Sequence, residues 1–387
     1  MLVFGSLPPE GRDLDLLARP DEERTLAAAL ERTGFARRGA VWAEFRDCTA
    51  FGIELVPAAS WRLPDDELER LYVEAAPLEG TRNLVAPAPH HALLIRARRS
   101  GGRVGEKERL RIDRALALDA GAWDRARSRA AAWGAERELA ALRRAYERGS
   151  SRASIPYARH VRALARGGNV VALSGLDGAG KSSQAQALRR ALEQLGIPAV
   201  VIWTPFASNA FLRALAAPVK RILGRARAPG GGPASLVARP GTERAGTGPA
   251  RAVVAHAWAS VVAATNGVAH RRAALPHLLR GRVVIFDRYT LDSAVHLRYL
   301  YGEARPFGFQ NALIGALSPK PLRSYFLDVE AETVVARKPI QYELAAVRRQ
   351  SRLYREECAK RRVTRLDGER TPDELAAEIA ADVWTAL

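Results

Sequence analysis

The sequence is poor in cysteine and lysine and has no long apolar run. Its 387 residues include only Cys48 and Cys358, which lie far apart and form no metal-type pair, so we expect two free thiols in a reducing compartment. A membrane helix needs about 18 to 20 apolar residues, and the longest apolar segment, 252–265, is shorter. The first residues also lack the pattern of a secretory signal. We therefore expect a cytoplasmic protein with no membrane partner.

Because lysine is scarce, nearly all of the positive charge comes from arginine. The formal net charge is +18, and lysine occurs only at positions 107, 181, 220, 320, 338 and 360. The arginines are scattered along predicted helices and interrupted by acidic residues, which indicates solvated helix faces plus a few phosphate-binding side chains. We do not expect a nucleic-acid partner, and nucleic-acid binding is kept as the weaker alternative.

The order of apolar and helical patterns predicts two domains. Residues 1–104 alternate strands at 14–18, 40–47 and 51–58 with a helix at about 21–33, which is typical of a small α/β domain. Residues 105–165 have helical spacing and predict a helical extension of that domain. Residues 166–387 alternate near-continuous apolar strands with helices, the pattern of a covered parallel sheet. The segment 224–252, rich in Gly, Pro, Ala and Arg, predicts a flexible insertion.

A glycine-rich loop follows the first strand of the second domain. Residues 175–182, GLDGAGKS, fit the pattern G-x-x-x-x-G-K-[ST] between a strand and a helix. Glycines let backbone N–H groups turn toward a phosphate, the lysine reaches the β- and γ-oxygens, and the serine can ligate Mg²⁺. The pattern predicts that ATP and Mg²⁺ are bound by Gly175, Asp177, Gly178, Ala179, Gly180, Lys181, Ser182 and Ser183.

Two further segments predict residues for phosphoryl transfer. Asp287 ends the apolar strand of RVVIFDRY, at the sheet edge where ligands of α/β proteins bind, so we expect it to orient Mg²⁺ with Ser182. Arg288 comes next and can grip a second, acceptor phosphate. Gly178 stands in the loop where a cation could have been, so another cation must neutralise the transferring group. The basic residues at 337, 338, 348, 349, 352 and 355 predict either a lid that supplies it or an exposed basic helix.

Four segments resemble thymidylate kinase in order and approximate spacing: GLDGAGKSSQ, DRYTLDSA, FLDVEAETVVARKPIQYE and TRLDGERTPDELAAEI. The resemblance covers about 166–387. It implies a P-loop NTPase fold, with a five-stranded parallel sheet and helices on both faces, which moves the γ-phosphate of ATP to a nucleoside monophosphate.

The resemblance also implies roles for individual residues. Lys181 and Ser182 hold ATP and Mg²⁺, Asp177 contacts the sugar or phosphate region of the acceptor, and Arg288 positions the acceptor phosphate. Arg337 lies where the lid begins, and a glycine at 178 fits the branch of the family whose catalytic arginine comes from the lid. Members of the family are often dimers, so a homodimer is one expectation.

The chain departs from thymidylate kinase where that family reads its base. The second strand is followed by WTPFASNAFLRAL instead of Glu-Pro-Gly-Gly-Thr, and the helix VVAHAWASVVAATNGVAH lacks the usual Asp-Arg pair. Groups that read a base by hydrogen bonds are rarely lost without consequence for specificity. These departures favour a kinase of the thymidylate kinase-like superfamily that need not act on dTMP. The resemblance keeps a nucleoside monophosphate, with dTMP the first candidate, and the alternative is another phosphorylated small molecule.

The segment GSLPPEGRDLDLLARP, residues 5–20, resembles the signature of minimal nucleotidyltransferases. Asp13 and Asp15 point to one face of a strand, and Glu54 lies on the neighbouring strand, so three carboxylates can hold two Mg²⁺ for attack on a nucleotide α-phosphate. The resemblance covers most of 1–165. Three interpretations stay open: an active transferase, a similar fold without turnover, and an edge strand on which Asp13 and Asp15 are ordinary polar residues.

The sequence thus predicts a nucleotidyltransferase-like α/β domain with a helical extension, followed by a thymidylate kinase-like P-loop domain. The expected function is ATP- and Mg²⁺-dependent phosphoryl transfer, with Lys181, Asp287, Arg288 and Arg337 as the catalytic candidates. Two alternatives stay open: a non-catalytic module in which nucleotide binding acts as a switch, and nucleotidyl transfer by the N-terminal domain.

Overall fold

The computed structural model of the chain describes residues 1–3, 13–46, 49–57, 63–78, 81, 84–100, 104–132, 134–148, 169–204, 249–302, 307–337 and 343–387. Internal contacts separate two compact units. The first comprises Met1–Glu44 and Ala50–Pro156, and the second comprises Phe45–Thr49 and Tyr157–Leu387. The predicted domain boundary at 166 lies outside the described residues and stays a prediction.

A mixed sheet organises the first unit. Its seven strands are β1 (Leu2–Val3), β2 (Asp13–Ala18), β3 (Ala36–Arg38), β4 (Val41–Arg46), β5 (Thr49–Pro57), β6 (Ala76–Pro77) and β7 (Val85–Ala86). They are arranged in the order β3-β4-β5-β2-β1-β7-β6. The central strand β2 runs parallel to β5 and antiparallel to β1. Strands β2, β4 and β5 correspond to the predicted strands, whereas β1, β6 and β7 have only two residues each and leave no periodic signal.

The alternation of side chains along β2 divides the core of this sheet between its two faces. Leu16 packs with Trp42 and other residues on one face, and Leu17 packs with Leu71 and other residues on the opposite face. Because side chains two positions apart share a face, Asp13 and Asp15 lie on the face of Leu17. Asp13 and Asp15 therefore lie on the face of the sheet against which Leu71 packs near Leu17.

The helices of the first unit are α1 (Pro20–Arg32), α2 (Asp65–Val73), α3 (Pro89–Ser100), α4 (Glu106–Leu118), α5 (Ala122–Ala132) and α6 (Glu136–Glu147). The helical part begins at Pro89, earlier than the expected start at 105. A separate apolar core joins Leu93 and Leu94 of α3 to residues of α4, α5 and α6. Ile95 of the same helix packs with Leu2 and Leu17 of the sheet, so α3 contacts both the sheet and the other helices.

A five-stranded sheet organises the second unit, and all of its strands are parallel, as predicted. The strands are β8 (Val170–Gly175), β9 (Ala199–Trp203), β10 (Val283–Asp287), β11 (Arg323–Asp328) and β12 (Thr364–Asp367), in the order β12-β11-β8-β10-β9. The flanking helices are α7 (Lys181–Gln194), α8 (Pro249–Leu278), α9 (Thr290–Tyr301), α10 (Gly308–Leu317), α11 (Ala331–Arg337), α12 (Leu344–Ala359) and α13 (Pro372–Ala386).

The strand order determines where a ligand would meet this sheet. Every residue of β8 and β10 is buried, which explains their continuous apolar sequences. The chain leaves β8 toward β9 on one side and leaves β10 toward β11 on the other side. Adjacent strands whose connections diverge form a crevice at their carboxyl ends, where α/β proteins bind ligands. That edge carries the loop at 175–182 and Asp287.

The segment 224–252, predicted to be a flexible insertion, ends earlier than expected. Helix α8 begins at Pro249, so the last residues of that segment are helical, and residues 224–248 lie outside the described part of the chain. The long helix is favoured because alanine, the best helix former, recurs along it, and its interior glycine, Gly267, is tolerated because a side chain there would collide with Leu317. Among the residues that the structure describes, no helix has the length and apolarity needed to cross a membrane.

Candidate active site

The backbone of the loop at 175–182 depends on its glycines. Gly175, Gly178 and Gly180 have φ angles of +148°, +95° and +88°, a region that favours glycine. A Cβ atom on Gly175 would also lie 2.8 Å from the carbonyl oxygen of Leu327. A Cβ atom on Gly180 would meet nothing within 4 Å, so the space beside this residue is open. Gly180 is the N-cap of α7, whose free N–H groups give this end of the helix partial positive charge.

Lys181 is held inside the loop. Its side chain is only 4% exposed, and Nζ donates a hydrogen bond of 2.6 Å to the carbonyl oxygen of Leu176. Burial, followed by the nearby charge of Arg288, lowers the pKa of Lys181 to about 8. An anionic ligand would favour the charged lysine and reverse that shift. A phosphate bound at this position would therefore stabilise the buried ammonium group of Lys181.

Ser182 and Asp287 meet at the edge of the sheet. The Ser182 hydroxyl donates a hydrogen bond of 2.5 Å to Oδ2 of Asp287, whose residue is 5% exposed. The other carboxylate oxygen, Oδ1, is buried and has no hydrogen-bond partner among the described residues. An unsatisfied buried carboxylate oxygen beside a hydroxyl suits a hard cation, since Mg²⁺ binds oxygen ligands. These residues therefore fit the predicted magnesium site.

Arg288 has a backbone conformation that is unusual for its type. Its φ angle is +81°, and within the described ranges it is the one residue other than glycine with a positive φ. Its N–H donates to the oxygen of Leu173, and its carbonyl oxygen accepts from the hydroxyl of Thr204. The guanidinium lies 3.3 Å from Oδ1 of Asp177 and 3.8 Å from Oδ1 of Asp292. This conformation thus directs Arg288 toward the loop, and such strain is often found at functional sites.

Asp292 supports this arrangement and was not predicted. The residue is 2% exposed and accepts hydrogen bonds of 2.8 Å from the backbone N–H of Tyr289 and from the hydroxyl of Tyr354. Burial raises the pKa of Tyr354 well above its usual value, so its hydroxyl stays a donor. The sequence carried one signal, because an acidic residue in the first turn of a helix often caps it. The partner Tyr354 lies far along the chain on α12 and gave no signal.

Arg337 lies at the loop, whereas other basic residues of the predicted lid have different partners. Arg337 is exposed and donates a hydrogen bond of 3.1 Å to the carbonyl oxygen of Gly178. The arginines on α12 contact acidic or aromatic residues: Arg348 with Glu332, Arg352 with Glu356, Arg355 with Asp328 and Glu330, and Arg349 with the ring of Tyr299. Lys338 lies outside the described residues. The structure therefore distinguishes Arg337 from the basic residues of α12.

The remaining predicted loop residues have different surroundings. Asp177 pairs with Arg288, so it is fixed at the mouth of the loop. Ala179 is 4% exposed and packs inward, whereas Ser183 is exposed in the first turn of α7. The structure thus brings Lys181, Ser182, Asp177, Asp287, Arg288 and Arg337 together around one loop.

In the first unit the structure brings the three predicted carboxylates together. Asp15 is paired in register with Glu54 of β5, and oxygens of Asp13, Asp15 and Glu54 all lie within 4.8 Å of one another. Asp15 is buried, and Oδ2 lies 3.8 Å from Nη2 of Arg111. Residues 5 and 6 of the predicted signature lie outside the described residues. Such a group of carboxylates can hold divalent cations, with Arg111 as a local counter-charge.

Comparison with known proteins adds no assignment. No family model matches the chain, and no curated protein matches it. The resemblances to thymidylate kinase and to nucleotidyltransferases therefore depend on the motifs, and the function has to be argued from the geometry of the two sites.

Proposed function

We propose that the second unit is an ATP- and Mg²⁺-dependent phosphotransferase whose acceptor is a nucleoside monophosphate, with dTMP the first candidate, or another phosphorylated small molecule. The observation that carries the proposal is the convergence of three cations and one cation-binding pair on a single loop. Lys181, Arg288 and Arg337 supply the positive charges, and Ser182 with Asp287 supplies the oxygens.

The loop and Lys181 bind the phosphates of ATP in this proposal. Glycine conformations at 175, 178 and 180 leave N–H groups and the start of α7 free for anionic oxygens. Lys181 exchanges its bond to the carbonyl of Leu176 for the β- and γ-oxygens. This exchange gives the buried ammonium a full negative partner and therefore supports tight binding.

Ser182 and Asp287 hold the metal ion. When bound, Mg²⁺ neutralises charge on the β- and γ-phosphates and keeps them in one orientation. Asp287 already lies beside the loop, because it ends β10 and β10 pairs directly with β8. It can therefore bind the ion without rearrangement of another helix or strand. Its unpartnered Oδ1 is the oxygen that supports this assignment.

The transfer itself needs positioning and charge. An oxygen of the acceptor phosphate attacks the γ-phosphorus, the bond from that phosphorus to the β–γ bridging oxygen breaks, and the electron pair leaves with ADP. Arg288 holds the acceptor phosphate, since its guanidinium is fixed by Asp177 and Asp292 and can make paired hydrogen bonds. Arg337 moves from the carbonyl of Gly178 to the transferring group and stabilises its charge.

The experiment is ADP release from Mg·ATP with dTMP, dUMP, dCMP or GMP, and with no acceptor. Lys181→Ala is the blank, and Asp15→Asn is a matched control in the first unit. We expect at least one monophosphate to stimulate ADP release, Lys181→Ala to abolish the stimulation, and Asp15→Asn to preserve it. Stimulation by dTMP alone would identify a thymidylate kinase. Measurable ATP binding without stimulation by any monophosphate would contradict transfer to these nucleotides and favour another acceptor or the switch module.

A second candidate function is nucleotidyl transfer by the first unit. The observation that favours it is the approach of Asp13, Asp15 and Glu54 to within 4.8 Å of one another. Such carboxylates can hold two Mg²⁺ while a hydroxyl attacks an α-phosphate and pyrophosphate leaves. The test is pyrophosphate release from ATP in the presence of candidate hydroxyl acceptors. Loss with Asp15→Asn and retention with Lys181→Ala would support it, and retention in both variants would exclude this site as the source.

A further inference from the structure

A second group of ligand-type side chains lies between α2 and α3 of the first unit. Glu67 is on α2 and Glu74 caps its end, and a spacing of seven residues places both on one side of the helix. His90 and His91 are in the first turn of α3. Donor atoms of Glu74, His90 and His91 lie within 4.8 Å of one another. These residues belong neither to the phosphate loop, residues 175–182, nor to the acidic trio, Asp13, Asp15 and Glu54.

The donor atoms converge on one carboxylate oxygen. Oε2 of Glu74 lies 3.1 Å from Nε2 of His90 and 3.9 Å from Nδ1 of His91. Both histidines are buried, His91 to 1% exposure, while the side chain of Glu74 is 37% exposed. The group is therefore formed inside the unit but has one ligand at the surface, which provides an entry path.

The hydrogen bond between His91 and Glu67 fixes which ring nitrogen is available. Nε2 of His91 lies 2.9 Å from Oε1 of the buried Glu67, and when this nitrogen donates the hydrogen of that bond, Nδ1 is the ring nitrogen left for a metal ion. Nδ1 then presents a lone pair, and it has no hydrogen-bond partner within the described residues. A buried lone pair that faces a carboxylate oxygen lacks a positive partner.

Arg129 of α5 does not fill this role. Its Nη2 lies 2.8 Å from Oε1 of Glu74, the oxygen other than the one nearest the histidines, and its Nε lies 3.9 Å from Glu67. Arg129 therefore orients the carboxylate and leaves Oε2 to face His90 and His91. Two acidic side chains and one arginine thus face the histidines, and this excess of acidic groups suits a divalent cation.

We infer that Oε2 of Glu74, Nε2 of His90 and Nδ1 of His91 bind a divalent transition-metal ion, with Zn²⁺ the best match. Two imidazoles exclude Mg²⁺ and Ca²⁺ as preferred ions, and two nitrogens with one oxygen leave a fourth position for water. Tetrahedral ligands around Zn²⁺ are about 3.3 Å apart, so the ligands need to move by less than about 1 Å. Glu67 is the outer carboxylate that orients a metal-bound histidine.

The test uses the untagged full-length chain and Co²⁺ as a spectroscopic probe, followed by displacement with Zn²⁺. We expect one bound Co²⁺ with the strong visible absorption of a four-coordinate ion, lost when Zn²⁺ is added. Glu74→Gln and His90→Asn should each weaken binding by at least about tenfold. His277→Ala removes a histidine of the second unit that belongs to neither candidate site, so it should bind Co²⁺ like the original chain.

Absence of this absorption in the original chain would overturn the proposal. Unchanged affinity in both cluster variants, or an equal loss in His277→Ala, would also overturn it. X-ray absorption at the zinc edge of the original protein requires no variant to fold. It should show two imidazoles in the first coordination shell, and an all-oxygen or sulfur shell would reject the assignment.

Discussion

In the second unit, three cations surround one loop that follows a strand. Three carboxylates, those of Asp177, Asp287 and Asp292, lie among them. In the first unit, three carboxylates on two neighbouring strands lie together, and Arg111 lies beside Asp15. Both groups lie at strands of a sheet. Basic and acidic side chains are equal in number in the second unit, whereas acidic side chains predominate in the first. The second unit is suited to hold phosphates with a metal ion as an adjunct. The first is suited to hold metal ions, to which a phosphate would bind secondarily.

The two groups also differ in how the chain assembles them. The phosphate loop is contiguous, so its local conformation comes from three glycines within six residues. The acidic trio depends on the register between β2 and β5, because Glu54 reaches Asp15 only when these residues are directly paired. A slip of one residue would turn Glu54 to the other face and break the trio. Contiguous sites tolerate changes of fold elsewhere, whereas paired-strand sites require the sheet to be correct.

Removal of the exposed cation at the loop should have the largest effect. Arg337→Ala should lower kcat for acceptor-stimulated ADP release by about 10³-fold, the scale for an arginine that stabilises a transferring phosphoryl group. Arg348→Ala is the matched control, since Arg348 is also exposed but pairs with Glu332. Steady-state kinetics would check both variants. Equal rates for Arg337→Ala and the original chain would remove Arg337 from the proposed catalytic group.

A second substitution tests whether the shape of the arginine matters at the acceptor position. Arg288→Lys keeps the charge but loses the planar pair of donors, so we expect about a 10²-fold fall in kcat/KM for the acceptor. Binding of Mg·ATP, followed by calorimetry, should change little. Arg298→Lys is the control, because Arg298 is similarly buried and pairs with Glu356 and Glu357. A similar fall in both variants would point to a general structural effect.

The buried carboxylate behind Arg288 offers a third test, on stability. Tyr354→Phe removes the hydroxyl that donates to Asp292 at 2.8 Å, and we expect the free energy of unfolding to fall by about 2 kcal/mol. Tyr325→Phe removes a similar bond to Asp382, whose side chain is more exposed, and should cost about 1 kcal/mol because water can replace the hydroxyl. Urea unfolding measures both. A smaller loss for Tyr354→Phe than for Tyr325→Phe would contradict the supporting role of Asp292.

The smallest effect is a pH dependence that only the second unit should show. Phosphate binding favours charged Lys181, whose pKa in the free protein is about 8, so the lysine must take up a proton when ATP binds above that pH. We expect ATP affinity to change little below about pH 7 and to fall about fivefold between pH 8 and 9. Calorimetry in buffers of different ionisation enthalpy would count the proton. Lys181→Met should bind more weakly, with no such proton uptake.

The same shift has a defined sign for the unligated chain. The folded lysine loses its proton at about pH 8, whereas an unfolded lysine does so at about pH 10.4. Between these values the unfolded state binds more protons, so the contribution of Lys181 to the free energy of unfolding rises with pH. A contribution that falls across this window would show that the lysine is not desolvated in the loop.

Much of both candidate sites could be predicted because their signals are local. The loop pattern predicted Gly175 to Ser182, the strand end predicted Asp287, and alternation along a strand placed Asp13 and Asp15 on one face. The five parallel strands followed from their apolar sequences. In each case the determining interaction is a backbone conformation or a periodicity within a few residues, which the sequence displays directly.

Residues that act across long separations were missed. Tyr354 meets Asp292 over a sequence separation of 62 residues, and nothing near either residue indicates the pairing. His90 and His91 read as part of a helix, and only packing of α3 against α2 brings them to Glu74. The two-residue strands β1, β6 and β7 gain their conformation from partners in the sheet. These features depend on tertiary contacts, which local patterns do not encode.

The position of β8 between β10 and β11 has a consequence for synthesis of the chain. Strand β8, which leads into the phosphate loop, is complete about 150 residues before β11 begins. At a translation rate of about 5–20 residues per second, this interval lasts about 7–30 s. During that time the apolar β8 has an open edge, because its neighbour on that side does not yet exist. Throughout that interval the growing chain therefore carries a strand with one unpaired edge, which is closed only when β11 has been made.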